Sequence, residues 1–192
     1  MQNHARAGVV AGSLVGVVFG LVFIEVNSGE LPGSWPLVVR VAGAVVAAVL
    51  LAGLVLVARK GVAEREVPSG GFIGRRYWNI VGIEGLALFG GLALINGVFG
   101  RPEFAVPWIA LVVGVHFIAL AAAWRIPLHR WLGIVQTILG LIGFALAATG
   151  AALGTVNLVA GVGSGVALYA SVAVGLLLIR QEPSRETAPD PR

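Results

Sequence analysis

The sequence contains no cysteine and few charged residues, and these two shortages exclude many classes of protein. Without cysteine, the 192-residue chain has no disulfide bond, thiolate metal site or thiol nucleophile. Charged residues make up only 11% of the chain, compared with about 25% in an ordinary soluble domain. The chain therefore has no room for a sizeable soluble domain beside its apolar runs.

The chain also lacks the short motifs of common enzymes. It contains no H-E-x-x-H, no G-x-S-x-G, no phosphate-binding loop and no aspartate pair of the kind that a membrane protease needs. Ser164 stands between two glycines, but no histidine–carboxylate partner is indicated, so its expected role is helix packing. His4, His116 and His129 are too scattered in depth to form a three-histidine metal site. We therefore expect no enzyme, no metal and no cofactor.

The basic character of the chain does not indicate a nucleic-acid partner. The net charge is only +4, although the sequence pI is about 10.7. The basic residues lie mostly at the ends of apolar runs, where membrane topology places them. The expected partner is therefore the lipid bilayer, and no nucleic acid.

Six apolar runs fill most of the sequence. A run of about 20 apolar residues crosses a hydrocarbon core of about 30 Å. The runs are residues 7–26, 36–58, 78–98, 104–124, 130–149 and 154–179. They predict an all-α fold, a polytopic membrane helix bundle with six transmembrane helices in one domain over residues 1–180. The tail over residues 181–192 has three prolines and mixed charge, and is predicted to be disordered.

Lysine and arginine are unequally divided between the two sides of this bundle. Eleven of them lie in the N-terminus, the second and fourth connections and the C-terminal tail, and two, Arg40 and Arg101, lie on the other side. The first run is too long for the apolar part of a signal peptide, so we interpret it as a true span. The positive-inside rule then predicts an inner (plasma) membrane protein with both termini cytoplasmic. On the external side, a salt bridge from Arg40 to Glu25 or Glu103 is feasible.

Glycines recur every four residues in the first run, and the last run repeats this spacing. The spacing exposes bare backbone that another helix can approach closely. Each four-residue step rotates the strip by about 40°, which favours a right-handed crossing. Packing within one chain and contact between copies in a homo-oligomer both remain open. The helix-packing candidates are Gly8, Gly12, Gly16, Gly20, Gly161 and Gly165.

Two ionisable residues lie inside the apolar runs and are the first candidates for function, because such groups are costly in a bilayer. Glu84 lies seven residues after Tyr77, and His116 lies eight residues before Trp124 in the following run. At 1.5 Å per residue, both lie about 10–12 Å below the same boundary. Since the short connection makes the two helices neighbours, an ion pair or hydrogen bond between Glu84 and His116 is feasible.

Other polar residues fall near the same depth and would extend this pair into a polar layer open to the cytoplasm. They are Ser13, Gln136, Thr137 and Ser171. One interpretation of the layer is a pathway for a small solute, an ion or a proton. The alternative is a structural or interaction protein, in which the polar residues hold helices together and the glycine faces support a partner or a second copy.

The segment over residues 107–117, PWIALVVGVHF, resembles a segment of small multi-pass bacterial membrane proteins that carry domain-of-unknown-function labels. The resemblance covers mainly residues 77–125. It implies a multi-pass membrane protein, and it implies no activity, substrate or cofactor.

Overall fold

The computed structural model describes residues 3–60 and 74–181, and this part of the chain is almost entirely helical, with no strand. The α-helices are α1 (Asn3–Asn27), α2 (Trp35–Lys60), α3 (Arg75–Ala93), α4 (Ala105–Trp124), α5 (Pro127–Ala148), α6 (Leu153–Val156) and α7 (Gly163–Gln181). A π-helical turn, Leu94–Val98, extends α3, and a second one, Asn157–Val162, joins α6 to α7. The predicted all-α bundle is confirmed, whereas residues 182–192 of the predicted tail lie outside the described part.

The helices have the length and composition of membrane spans. Five described segments are long and apolar enough to cross a membrane: Trp35–Arg59, Tyr77–Val98, Pro102–Trp124, Pro127–Ala148 and Leu153–Ile179. In α1 the apolar segment within the described side chains is Gly12–Asn27. These helices fit an integral membrane protein. That all six cross the bilayer, with both termini cytoplasmic, stays a prediction.

Site-specific labelling tests this orientation. A tag inserted between Gly29 and Gly33 should react with an impermeant reagent in intact cells, because the positive-inside rule places this turn outside. A reporter fused after Arg192 should be active only on the cytoplasmic side. Labelling of the tag only after permeabilisation would overturn the predicted orientation.

The connection between α4 and α5 is tighter than the sequence prediction. Helix α4 ends at Arg125, whose backbone is left-handed (φ 55°), and α5 begins at Pro127. Proline suits the first position of a helix because its ring fixes φ and the missing N–H needs no partner there. The fifth run therefore begins three residues before the predicted residue 130.

Successive contacts link the helices in a row, α2, α1, α7, α5, α4 and α3, and α2 also packs directly on α7. The largest core cluster joins α1, α2 and α7, where Val17, Ile24, Leu54 and Val172 are buried. The Tyr169 hydroxyl donates a hydrogen bond to the Gly43 carbonyl oxygen (3.1 Å) and so connects α7 to α2. Helix α3 stands at the end of the row and packs mainly on α4.

Helices α4 and α5 approach each other through glycines on both sides. A Cβ built on Gly133 would lie 2.7 Å from the Gly114 carbonyl oxygen, and one on Gly140 would lie 2.7 Å from the Leu111 backbone nitrogen. The partners run in opposite directions along the two helices, so the pair is antiparallel. This close contact fixes the rotation of α4, which in turn determines the side chains that α4 presents to α3.

Two of the four glycines of the strip in α1, Gly16 and Gly20, pack within the chain. A Cβ on Gly16 would lie 2.8 Å from Val172 Cγ2, and a Cβ on Gly165 would lie 2.6 Å from the Gly20 carbonyl oxygen. Gly161 lies against the Asn27 side chain. Helices α1 and α7 therefore meet through glycines on both sides.

Gly12 does not take part in this contact. It is exposed, and a Cβ built on it meets no described atom within 4 Å, so of the two interpretations left open, packing of Gly12 within the chain has no support among the described contacts. The physical reason is the drift of the strip, because two steps of about 40° turn Gly12 away from the face that carries Gly20. The surroundings of Gly8 lie outside the described side chains.

Candidate functional site

Glu84 on α3 and His116 on α4 face each other in the interface between these helices. The distance from His116 Nδ1 to Glu84 Oε2 is 2.7 Å. Nδ1 nevertheless has no hydrogen-bond partner of good geometry among the described residues, so the Glu84 oxygen lies off the direction of the ring N–H. The side chains are 14% and 21% exposed, respectively. The contact that the matched depths made feasible is therefore present, as a close approach of the two side chains and not as a well-aligned hydrogen bond.

Aromatic side chains flank this pair along the interface. On one side, the rings of Tyr77 and Trp124 stack with centroids 5.9 Å apart. On the other side, Trp108 Nε1 donates a hydrogen bond to the Ala87 carbonyl oxygen (3.1 Å), and its indole ring lies against Gly91. The polar pair is thus enclosed between two aromatic contacts along the α3–α4 interface.

The indole ring of Trp108 fits against α3 only because Gly91 has no side chain. In Gly91→Ala the new methyl group would overlap the indole ring, so we expect a loss of about 1–3 kcal/mol in unfolding free energy. Gly90→Ala is the matched control, since a Cβ there meets nothing within 4 Å and alanine favours a helix. Chemical denaturation in detergent measures both variants. Equal stability of the two would show that Trp108 does not rest on α3.

Helix α3 holds the site at the edge of the bundle. None of the residues in its apolar segment is fully buried, and Ile83, Leu86 and Phe89 are each at least 70% exposed. Glu84, Ala87 and Gly91 lie on the face that meets α4, at helical spacing. The polar and aromatic contacts described above therefore account for much of the attachment of α3.

His129 extends the site on the side of α5, and sequence reasoning missed it. Its ring lies 5.8 Å from the Phe117 ring and 5.8 Å from the Trp124 ring, centroid to centroid. Phe117 in turn lies 5.6 Å from the His116 ring. His129 Nδ1 is buried and has no hydrogen-bond partner among the described residues. The sequence feature that indicates the position of His129 is the short connection after Trp124, which brings the start of α5 back beside the end of α4.

Gln136 belongs to a second polar group, between α5 and α7. Its side chain is fully buried, and Nε2 donates a long hydrogen bond (3.4 Å) to the Ser164 carbonyl oxygen. The Ser164 hydroxyl donates to the Ala160 carbonyl oxygen (2.6 Å) at the π-helical turn. A π-helical turn interrupts the regular backbone hydrogen bonds of an α-helix. The Gln136 and Ser164 side chains donate hydrogen bonds to carbonyl oxygens beside this turn. The Ser164 hydroxyl is therefore bonded to the preceding turn, and its expected role in helix packing stays a prediction.

The remaining members of the predicted layer are not connected to Glu84 and His116 by hydrogen bonds within the described residues. The Thr137 hydroxyl donates to the Gly133 carbonyl oxygen of its own helix (2.8 Å). Ser13 and Ser171 are half-buried. The described contacts thus divide the predicted layer into two groups, and a single layer open to the cytoplasm stays a prediction.

The opposite end of the bundle has its own ion pairs. Arg40 Nε lies 3.8 Å from Glu25 Oε2 and donates hydrogen bonds to the Glu25 carbonyl oxygen and the Ser28 hydroxyl. Arg101 pairs with Glu103 and lies over the Phe104 ring. Of the two feasible partners for Arg40, Glu25 is therefore the one that it contacts.

Among the described residues, no group of three or more histidine, aspartate or glutamate side chains is arranged to hold a metal ion. No protein-family model matches the chain, and no curated protein or solved structure was found that matches it. The likeness of residues 107–117 to multi-pass bacterial membrane proteins thus remains a resemblance. What this integral membrane protein does has to be inferred from its own residues.

Proposed function

We propose that the protein is a pathway through the membrane for a proton, or for a small ion or solute whose movement is linked to a proton. The Glu84–His116 pair would be the site at which the proton is held. The observation that supports this proposal is the 2.7 Å contact between a carboxylate and an imidazole inside two apolar helices. Ionisable groups at this depth cost about 2.5–3.5 kcal/mol on insertion scales and commonly mark proton or ion routes.

The chemistry of the pair suits reversible proton binding. Imidazole and carboxylate groups both bind and release protons reversibly. When the pair shares one proton, the carboxyl and imidazole are either both neutral or oppositely charged, so no net charge is left in the bilayer. Loss of that proton leaves a net negative charge, which a cation or a proton from one side would neutralise.

The flanking aromatic contacts would serve as barriers on either side of the pair. Trp108 closes the interface toward one membrane face, and the stacked Tyr77 and Trp124 rings close it toward the other. Because α3 packs mainly on α4, a small displacement of α3 would open one barrier. Opening the barriers alternately would expose the pair to one side at a time.

Reconstitution in liposomes tests the proposal directly. The purified protein should acidify or alkalise the lumen faster than protein-free liposomes under a pH gradient, with the membrane potential clamped. Parallel gradients of Na⁺ and K⁺ identify a coupled ion. Glu103→Gln, a half-buried residue in the turn just before α4, is the control for reconstitution. Wild-type flux no faster than that of protein-free liposomes under every gradient would overturn the proposal.

The alternative, a structural or interaction protein, draws on a different observation. Gly82, Gly85 and Gly90 lie on the outer side of α3, where an added Cβ meets nothing within 4 Å. In this alternative Glu84 and His116 fasten α3 to α4, and the outer side of α3 is left for a partner. In such a protein, Glu84→Gln would change no transport rate and would lower only the stability. That the chain is not an enzyme stays a prediction.

A further inference from the structure

Three arginines on three helices lie at the same end of the bundle. Arg75 begins α3, Arg125 ends α4 and Arg130 lies in the first turn of α5, and all three are exposed. A chain of aromatic rings holds these helix ends together. Tyr77, two residues after Arg75, stacks on Trp124, and Trp124 lies edge-on to His129, beside Arg130. We call Arg75, Arg125 and Arg130 the arginine cluster.

The arginine cluster differs from the arginines at the opposite end in having no acidic partner among the described residues. Arg40 contacts Glu25 and Arg101 contacts Glu103. The first turns of α3 and α5 contain no acidic residue. The positive charge of the cluster is therefore unneutralised within the described part of the chain, whereas each arginine of the other end has a carboxylate beside it.

Arg125 also occupies a backbone conformation that favours glycine. Its φ of 55° is the only positive φ of a non-glycine residue in the described part. A side chain with a Cβ is strained in this region, and a helix ending of this kind is usually glycine. Glycine can therefore replace Arg125 without backbone strain, which separates the contribution of the guanidinium from that of the fold.

The cluster lies at the level where lipid headgroups are expected. Trp78 and Trp131, which are 61% and 65% exposed, stand on α3 and α5 beside the cluster. Exposed tryptophans at helix ends prefer the boundary between hydrocarbon and headgroups. Guanidinium groups bind phosphate oxygens in bidentate fashion. We propose that the arginine cluster binds the phosphate headgroup of an anionic phospholipid.

Lipid titration of the full-length protein tests this proposal. The protein in neutral detergent is titrated with phosphatidylglycerol or with phosphatidylcholine of the same acyl chains, and binding is followed by native mass spectrometry. Each arginine near a membrane surface contributes about 1 kcal/mol to the attraction of anionic lipid. Arg125→Gln and Arg130→Gln should therefore each weaken phosphatidylglycerol binding about fivefold. Arg101→Gln, at the opposite end, should leave it unchanged.

Arg125→Gly separates lipid binding from folding. Glycine relieves the backbone strain at this position, so the melting temperature should stay equal or rise while phosphatidylglycerol binding falls. Arg130→Lys should retain most of the binding, because it keeps the charge. Equal affinity for the two lipids, or an equal loss in Arg101→Gln, would overturn the proposal. Displacement of the lipid by millimolar inorganic phosphate would show a site for free anions instead, which also contradicts it.

Discussion

Glu84→Gln and His116→Ala are each expected to abolish proton-dependent flux in reconstituted vesicles while the protein remains folded. Glutamine keeps the shape of the glutamate side chain and removes its ability to take up a proton. Alanine removes the imidazole and leaves Glu84 without the partner that lies 2.7 Å away. The readout is the initial rate of pH change in the vesicle lumen, normalised to the amount of inserted protein.

The control must separate a lost proton site from a damaged bundle. Gln136→Met changes a fully buried polar side chain whose described hydrogen-bond partner is on α7 and not on α3 or α4. It is expected to keep proton flux, since methionine has nearly the same volume and Gln136 does not contact the pair. Loss of flux in Gln136→Met and Glu84→Gln alike would assign the activity to the bundle as a whole and contradict the specific role of Glu84.

The same variants measure how strongly the pair is coupled. Removing one member leaves a partly buried polar group unpaired, so we expect each single variant to lose about 1–3 kcal/mol of unfolding free energy. The double variant should lose less than the sum, because the second change then removes a group that has already lost its partner. Contacts of this kind in lipid give coupling of about 0.6 kcal/mol on average. Additive losses, within about 0.3–0.5 kcal/mol, would show that the two side chains do not interact.

The contact between Glu84 and His116 was predictable because it depends on quantities that sequence fixes. The rise of a helix is constant, and the short connection makes α3 and α4 antiparallel neighbours, so matched depth follows from counting residues. Rotation about the helix axis is different, since it depends on what packs behind each helix. The position of Trp108 over Gly91 follows from the rotation of α4, which the close glycine contacts with α5 determine.

The same distinction explains the residues that sequence reasoning missed or misplaced. Gln136 has the depth of the proposed layer, but it faces Ser164 on α7. Depth along the helix does not tell whether the Gln136 side chain faces the Glu84–His116 pair or α7. His129 was considered only as one of three histidines too scattered in depth for a metal site, and the sequence does not show the aromatic rings of Phe117 and Trp124 that link it to His116. Hydropathy predicts the membrane spans, whereas the neighbours of a side chain can be identified only in the packed bundle.

The edge position of α3 links the proposed function to the lipid contact. The α3–α4 interface contains the polar pair, and its Arg75 end contains the arginine cluster. A headgroup bound there would hold the beginnings of α3 and α5 together across the end of α4. Anionic lipid would then restrain the displacement of α3 that the proposed pathway requires, so on this proposal flux in vesicles should depend on the lipid composition of the same leaflet.

Gly165→Ala is expected to have the largest effect on stability among the glycine substitutions of the α1–α7 contact. Its Cβ would lie 2.6 Å from the Gly20 carbonyl oxygen and 2.6 Å from Ile24 Cγ1. The carbonyl belongs to the backbone of α1, so the clash is relieved only if the whole helix moves. Overpacking of this kind costs about 1–3 kcal/mol, and Gly165→Leu should cost more.

Gly12→Ala is the matched control, and Gly12→Leu separates the two interpretations of the glycine strip. Since nothing lies within 4 Å of a Cβ at this position, Gly12→Ala should be neutral or stabilise α1 by about 0.5–1 kcal/mol. If the exposed end of the strip contacts a second copy, Gly12→Leu should convert an oligomer to a monomer in size-exclusion chromatography with light scattering, without loss of monomer stability. An unchanged mass would show that this glycine faces lipid. Equal unfolding free energies for Gly165→Ala and Gly12→Ala would contradict the close approach of α1 and α7.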